Sequence, residues 1–206
     1  MVKNFEHTIR VANINEEGRL GGPQMRMALV ASALGKSEFN KKIDTTFIFP
    51  KEDSKEFRER CDAIGIKYFL FSFTKISRNW INILKYLILF PFEVMKLANF
   101  LKKHSFDIVH ASGGSQQFKG IIAAKIAKIK VVWEMNDTYT PFVFRNIYFL
   151  LSRLVNCLVF GSNRTKEYYK NITPKNKKNF LIHSPVNVNF YDPLFNFPIE
   201  EFIKRN

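Results

Sequence analysis

The feature that most constrains this chain is a regular alternation between short apolar, β-branched runs and longer stretches of helical periodicity. The runs fall at residues 9–14, 45–49, 66–71, 106–111, 130–135, 157–160 and 180–183. Between them lie helical patterns at 25–34, 51–63, 77–104, 116–128, 141–155 and 164–171. A continuous apolar run such as Thr45-Thr46-Phe47-Ile48-Phe49, ended by Pro50, is what a parallel strand buried on both faces requires. About seven such units predict an α/β fold: a doubly wound, mostly parallel sheet of about seven strands with helices on both faces. A chain of 206 residues is long enough for one domain with a real core.

In an open parallel sheet, ligands bind beyond the carboxyl ends of the strands. Four polar or glycine-bearing turns follow strands here: 18–23, 110–115, 136–138 and 162–164. The first carries Gly21-Gly22-Pro23 at the start of a helix. Pro23 suits a first helical turn, where its missing N–H has no partner to lose. Gly21 and Gly22 let a ligand approach the backbone, and the helix N-terminus favours an anion. The spacing is neither a dinucleotide fingerprint nor a P-loop, so a plain strand-to-helix turn is the competing reading. Gly35 is expected just past the end of that helix.

The charge balance is unusual: 32 Lys and Arg against 18 Asp and Glu, a net +14. Nucleic acid, an anionic membrane surface or an anionic substrate would each match it, as would a simple excess of solvated lysines. No nucleic-acid-binding motif is present, and no nucleic-acid partner is expected. Cys61 and Cys157 read as small buried residues of a reducing compartment. No His, Cys, Asp and Glu cluster has metal-ligand spacing, so no metal site is expected. The stretch 80–95 is the most apolar but is interrupted by Asn82, Lys85, Pro91 and Glu93, and falls short of a membrane span. Pro91 is expected to kink or break the helix. Such a helix is either buried on most sides or rests on something apolar. With Trp80 at its start, Lys85 within it and Lys102 and Lys103 at its end, it also suits the surface of an anionic bilayer.

Several motifs occur in a telling order: Gly21-Gly22-Pro23, Asp107-Ile108-Val109-His110-Ala111, Val131-Val132-Trp133-Glu134-Met135-Asn136-Asp137, Val159-Phe160-Gly161-Ser162 and Ser184-Pro185-Val186-Asn187. Together they resemble the N-terminal half of a family 4 glycosyltransferase, over about residues 7–193. The resemblance implies a retaining enzyme with two Rossmann-like domains facing each other across a cleft. It implies transfer of a sugar from a nucleotide-sugar donor to a polysaccharide, lipopolysaccharide or glycolipid acceptor. The donor is a co-substrate held mainly by the second domain, and no further cofactor is implied.

On this resemblance residues 1–190 form the acceptor-side domain, and 191–206 begin a linker or tail. Asn136 and Asp137 are the expected catalytic corner. Gly21, Gly22, Arg26, His110, Gly113, Gly114 and Ser162 are expected to bind substrate, with Ser184–Asn187 crossing toward the second domain. Asp137 has a rival role as the cap of the following helix. The family often carries His at positions 136 and 112 and Asp at 156 and 187. Asn136 can hydrogen-bond a sugar hydroxyl but cannot carry a proton at neutral pH. Because the sequence stops at Asn206, the expectation is a half-enzyme that transfers little sugar alone and works with a separate C-terminal half. The expected location is cytoplasmic, peripheral on the inner face of the membrane. The alternative is a non-catalytic membrane-docking or binding module that retains the fold.

Overall fold

The computed structural model describes residues 8–37, 42–75 and 79–185. Expectations for the start of the long helix at 77–78, for Val186 and Asn187, and for 191–206 lie outside the described residues. Seven strands form one sheet: β1 (Ile9–Ile14), β2 (Ile43–Pro50), β3 (Tyr68–Phe71), β4 (Ile108–Ala111), β5 (Lys130–Met135), β6 (Cys157–Phe160) and β7 (Asn179–Leu181). Their order is β3-β2-β1-β4-β5-β6-β7, and every neighbouring pair is parallel. Six helices connect them: α1 (Gly22–Lys36), α2 (Lys55–Ala63), α3 (Trp80–Lys103), α4 (Phe118–Ile126), α5 (Phe142–Leu154) and α6 (Asn163–Tyr169). The fold is the expected doubly wound sheet, and it is parallel throughout.

The period-two side-chain alternation splits the core in two. Ile14, Ile48, Val109, Val131, Trp133, Leu158 and Phe160 point to one face, where they meet α3, α4, α5 and α6 in the larger cluster. Phe47 and Phe49 point to the other and pack with α1 and α2 through Met27, Ala31, Phe57 and Cys61. The strand order reverses between β1 and β4, so the switch point of the sheet lies there.

Local expectations fail in two places. The helix does not break at Pro91, because α3 runs unbroken from Trp80 to Lys103. The carbonyl that loses its partner belongs to Leu87, which is 63% exposed, so water can take the missing bond. Gly35 lies inside α1 rather than beyond it. The helix ends at Ser37, whose N–H and hydroxyl both donate to the Leu34 carbonyl. His104 is half-buried, its ring 4.1 Å from that of Phe100 and 5.0 Å from that of Phe69. In the basic loop after α6, Lys177 Nζ donates to the Val155 and Arg153 carbonyls and closes the C-terminal end of α5.

Candidate functional site

The carboxyl ends of the strands carry two clefts, one on each side of the sheet. The first, of ≈ 490 Å³, is lined by Gly22, Arg26, Asn136, Gly161, Ser162 and Ser184 among others. It joins the start of α1 to the turns after β5 and β6. Gly21 is the N-cap residue of α1 in extended backbone, with no side-chain cap, and Pro23 occupies the first turn. The expected glycine turn and Asn136 therefore meet on one cleft.

Behind this cleft lies a polar ladder across the sheet. Glu134, only 1% exposed in its side chain, sits 2.8 Å from Arg26 Nη1 through Oε1. Its Oε2 lies 3.1 Å from His110 Nε2 and accepts from the Ser112 hydroxyl at 3.0 Å. The other ring nitrogen of His110 is 2.6 Å from Asn13 Oδ1, and the Asn13 amide donates to Thr45 at 2.6 Å. Parallel register makes this possible by setting Asn13 beside His110. Burial pushes the Glu134 carboxyl up, but the His110 hydrogen bond and the charges of His110 and Arg26 outweigh it and hold the group at about 2. Arg26 also donates to the Ile182 carbonyl at 3.1 Å and to Ser184 Oγ at 3.2 Å. It thus lines the cleft with its charge already matched. The Asn136 amide is buried against the same carboxylate and adds to the pull that keeps Glu134 low.

The second cleft, of ≈ 310 Å³, is lined by Glu16, Glu17, Lys75, Tyr86, Gly113 and Asp137 among others. Asp137 faces this cleft, not the one that holds Asn136. Its Oδ2 accepts from the Ser115 N–H and hydroxyl, and its Oδ1 from the Tyr169 hydroxyl at 2.7 Å. It does not cap α5, whose N-cap residue is Pro141. Gly113 and Gly114 adopt φ of +115° and +96°, and a Cβ at Gly114 would sit 3.0 Å from the Asp137 carboxylate. These glycines let the turn close over Asp137.

Glu16 Oε1 accepts the backbone N–H groups of Lys119 and Gly120 at 2.7 and 3.1 Å, closing the start of α4. Burial pushes this carboxyl up to about 7, against the pull of Lys119 and of those two N–H groups. Lys119 is fully buried. Its Nζ lies 2.6 Å from Glu93 Oε2, donates to the Thr74 carbonyl at 2.5 Å and rests 4.4 Å from the Tyr86 ring centre.

The remaining expected residues are placed as follows. Ser162 lines the first cleft while its hydroxyl caps α6 by accepting from Thr165 N–H at 3.1 Å. His110 lies behind the first cleft, within the ladder. Trp80, Lys85, Lys102 and Lys103 are all exposed on α3, the first two near its start and the last two at its far end. Among the described residues no group of His, Cys, Asp and Glu could hold a metal ion, and no helix is long and apolar enough to cross a membrane.

Glu134, Asn13, Glu16, Lys119 and Glu93 were not among the expected site residues. One signal was available for Glu134: an acid within Val131-Val132-Trp133-Glu134-Met135 must be paired if that strand is buried. The long-range pairs of Glu16 and Lys119 leave no such mark.

This geometry is a doubly wound, all-parallel Rossmann-like sheet with two polar clefts at the strand carboxyl ends. The family model described as Glycosyltransferase Family 4 matches residues 20–190, and the chain belongs to that family. It is 24% identical over 170 residues to the N,N'-diacetylbacillosaminyl-diphospho-undecaprenol alpha-1,3-N-acetylgalactosaminyltransferase of Campylobacter jejuni, covering 74% of this chain and 42% of that protein. Its fold resembles Anabaena Alr3699/HepE, crystallised with UDP and glucose, at a TM-score of 0.70 and 13% identity over 95% of this chain and 50% of that one. A glycosyltransferase from Rickettsia africae gives a TM-score of 0.65 at 17% identity, with 96% and 49% covered. The chain spans about half the length of these proteins.

Proposed function

We propose that this chain is the acceptor-side half of a glycosyltransferase that moves a sugar from a nucleotide-sugar to a lipid-linked or polysaccharide acceptor. The observation that carries the reading is the meeting of Gly22, Arg26, Asn136 and Ser162 on one cleft at the carboxyl edge of the sheet. The Campylobacter relative is named for a sugar carried on diphospho-undecaprenol, and this supports a lipid-linked acceptor. In this reading Asn136 contacts the transferred sugar from the cleft wall. Gly21 and Gly22 leave room for the donor phosphates or the reacting sugar. Asp137 holds the turn that separates the two clefts, and Gly113, Gly114 and His110 support the acceptor side. Arg26, neutralised by Glu134, orients Asn136 and Ser184.

Stabilising the leaving nucleotide diphosphate is a large part of such catalysis. The groups that do so belong to a facing second domain, as do the main contacts to the donor. The half described here transfers little sugar by itself, and no cofactor beyond the nucleotide-sugar takes part. The protein works on the cytoplasmic face of the membrane, with the start of α3, including Trp80 and Lys85, resting on it and Lys102 and Lys103 at the helix end adding to the attraction. The test is a sugar-transfer assay with residues 1–206 alone and with the C-terminal half supplied. Transfer should require both halves, and strong transfer by the first half alone overturns the reading.

One observation favours a different function. Asn136 cannot carry a proton, and the charge of Arg26 is already spent on Glu134, as suits a module that binds but does not catalyse. Sugar binding without transfer in the two-half assay would select that reading.

A further inference from the structure

The outer surface of the α3, α4 and α5 layer is built unlike the rest of the molecule. From Trp80 to Phe92, α3 stands clear of the body on nearly every side, and Tyr86 is the one buried residue in that stretch. Trp80, Leu87, Ile88 and Phe92 are 56–72% exposed. Helix α5 repeats the pattern. Phe142 is 76% exposed, Leu150 59% and Leu154 45%, and Tyr139, in the turn just before the helix, is 78% exposed. Between them α4 is sunken, with Phe118, Ile121, Ala123 and Ala124 buried against its neighbours. Two apolar ridges therefore flank a valley. At the head of the valley lies the polar cleft of Glu16, Tyr86, Gln117 and Asp137.

Charge identifies what covers these ridges. The three helices contain one acid, Glu93, and it is consumed by buried Lys119 and by Thr74. Every other charge on them is basic, including exposed Lys85, Lys96, Lys125 and Arg153. Apolar ridges whose own free charges are cations match an anionic bilayer, and the acids of the cleft between them are already partnered: Glu17 by Lys75, Asp137 by Ser115 and Tyr169, and Glu16 by the Lys119 and Gly120 N–H groups.

We propose that the protein meets an anionic lipid surface at two points, the free end of α3 and the Tyr139–Phe142 start of α5 with its exposed face. The Glu16–Asp137 cleft then opens between them toward the lipid headgroups. This rests on the reading of a lipid-linked acceptor and adds α5 as a second contact. In it a lipid-linked sugar reaches the cleft from the membrane without leaving it.

Trp80 is a built-in probe, because the other tryptophan, Trp133, is fully buried. With vesicles containing phosphatidylglycerol, Trp80 emission should shift to the blue and be quenched by brominated acyl chains. Pure phosphatidylcholine vesicles should give little binding, and raised salt should weaken it. The double variant Tyr139→Ser/Phe142→Ser should lower vesicle partitioning about tenfold or more, as should Leu84→Ser/Leu87→Ser. Both should keep the wild-type Tm, since all four side chains are exposed. Unchanged Trp80 emission, unchanged partitioning of the α5 variant, or self-association of the chain abolished by the same substitutions would each overturn the proposal. No donor or acceptor is present in this assay, so a failure of sugar transfer leaves its outcome intact.

Discussion

The two faces of the sheet are held by different physics. On one, α3 to α6 seal β1, β4, β5 and β6 with an apolar core in which Leu97, Val109, Trp133 and Leu158 are fully buried. On the other, α1 and α2 cover β1 to β3 and stop. Beyond them Ile108 and Val132 are only half-buried, and Phe180 and Ile182 are 43% and 50% exposed. The open face is bridged instead by Thr45, Asn13, His110, Glu134 and Arg26. A parallel sheet is normally covered on both sides. The difference teaches that the sealed face is finished by apolar packing. The open face instead places its polar bridge directly behind the cleft that holds Asn136.

The largest effect should come from breaking that bridge. Arg26→Ala leaves Glu134 buried with only His110 and the Ser112 hydroxyl beside it, and should cost about 3–5 kcal/mol in urea unfolding at neutral pH. The Glu134 carboxyl is held at about 2, below its ordinary 4.5. Its contribution is therefore full above pH 4.5 and is lost as pH falls toward 2. In Arg26→Ala the carboxyl moves back toward its ordinary value, so the slope of stability against pH between 4.5 and 2 should flatten.

The next contrast sharpens the two faces directly. Leu97→Ala on the sealed face should cost about 2–5 kcal/mol, and Val132→Ala on the open face about 1 kcal/mol or less. Equal costs would mean that the open face is as well packed as the other.

Glu16, at the rim of the sealed face, has the opposite pH sign to Glu134. Its carboxyl is raised from 4.5 to about 7. The folded state therefore holds more protons than the unfolded state between those values, and stability falls as pH rises through the window. Glu16→Gln still accepts the two N–H groups at the start of α4. It should flatten the slope of Tm against pH between 4.5 and 7 and leave the acid limb unchanged.

The smallest perturbation uses the cysteines. Cys61 is fully buried under α2, its thiol pushed up to about 12 by burial. Cys157 is half-buried on the open face. A maleimide should label Cys157 in the native protein and reach Cys61 only on unfolding.

The strands and their order of appearance were legible in the sequence because buried parallel strands write themselves as unbroken runs such as 45–49. The glycine turn was legible because Gly21-Gly22-Pro23 has a local backbone cause. What the sequence hid depends on register and on distance along the chain. Asn13 meets His110 only because β1 and β4 pair as they do. Glu16 reaches Lys119 across more than a hundred residues. The split of Asn136 and Asp137 between two clefts follows from the side-chain alternation at the end of β5, which continues into the turn. Pro91 does not break α3 because the carbonyl it leaves unpaired, that of Leu87, lies on an exposed turn that water can reach.

Gly22 offers the most direct test of the claim that the cleft handles sugar. A Cβ at Gly22 meets nothing within 4 Å, and Gly22 is not among the positive-φ glycines. Gly22→Ala should therefore fold as well as the wild type, or be slightly more stable in the first turn of α1. In the two-half transfer assay, the proposed function predicts that kcat/KM for sugar transfer falls about tenfold or more at unchanged Tm, because the new methyl would enter the space proposed for the ligand. Unaltered transfer at unaltered Tm would show that the glycine serves only the turn, and would contradict the account.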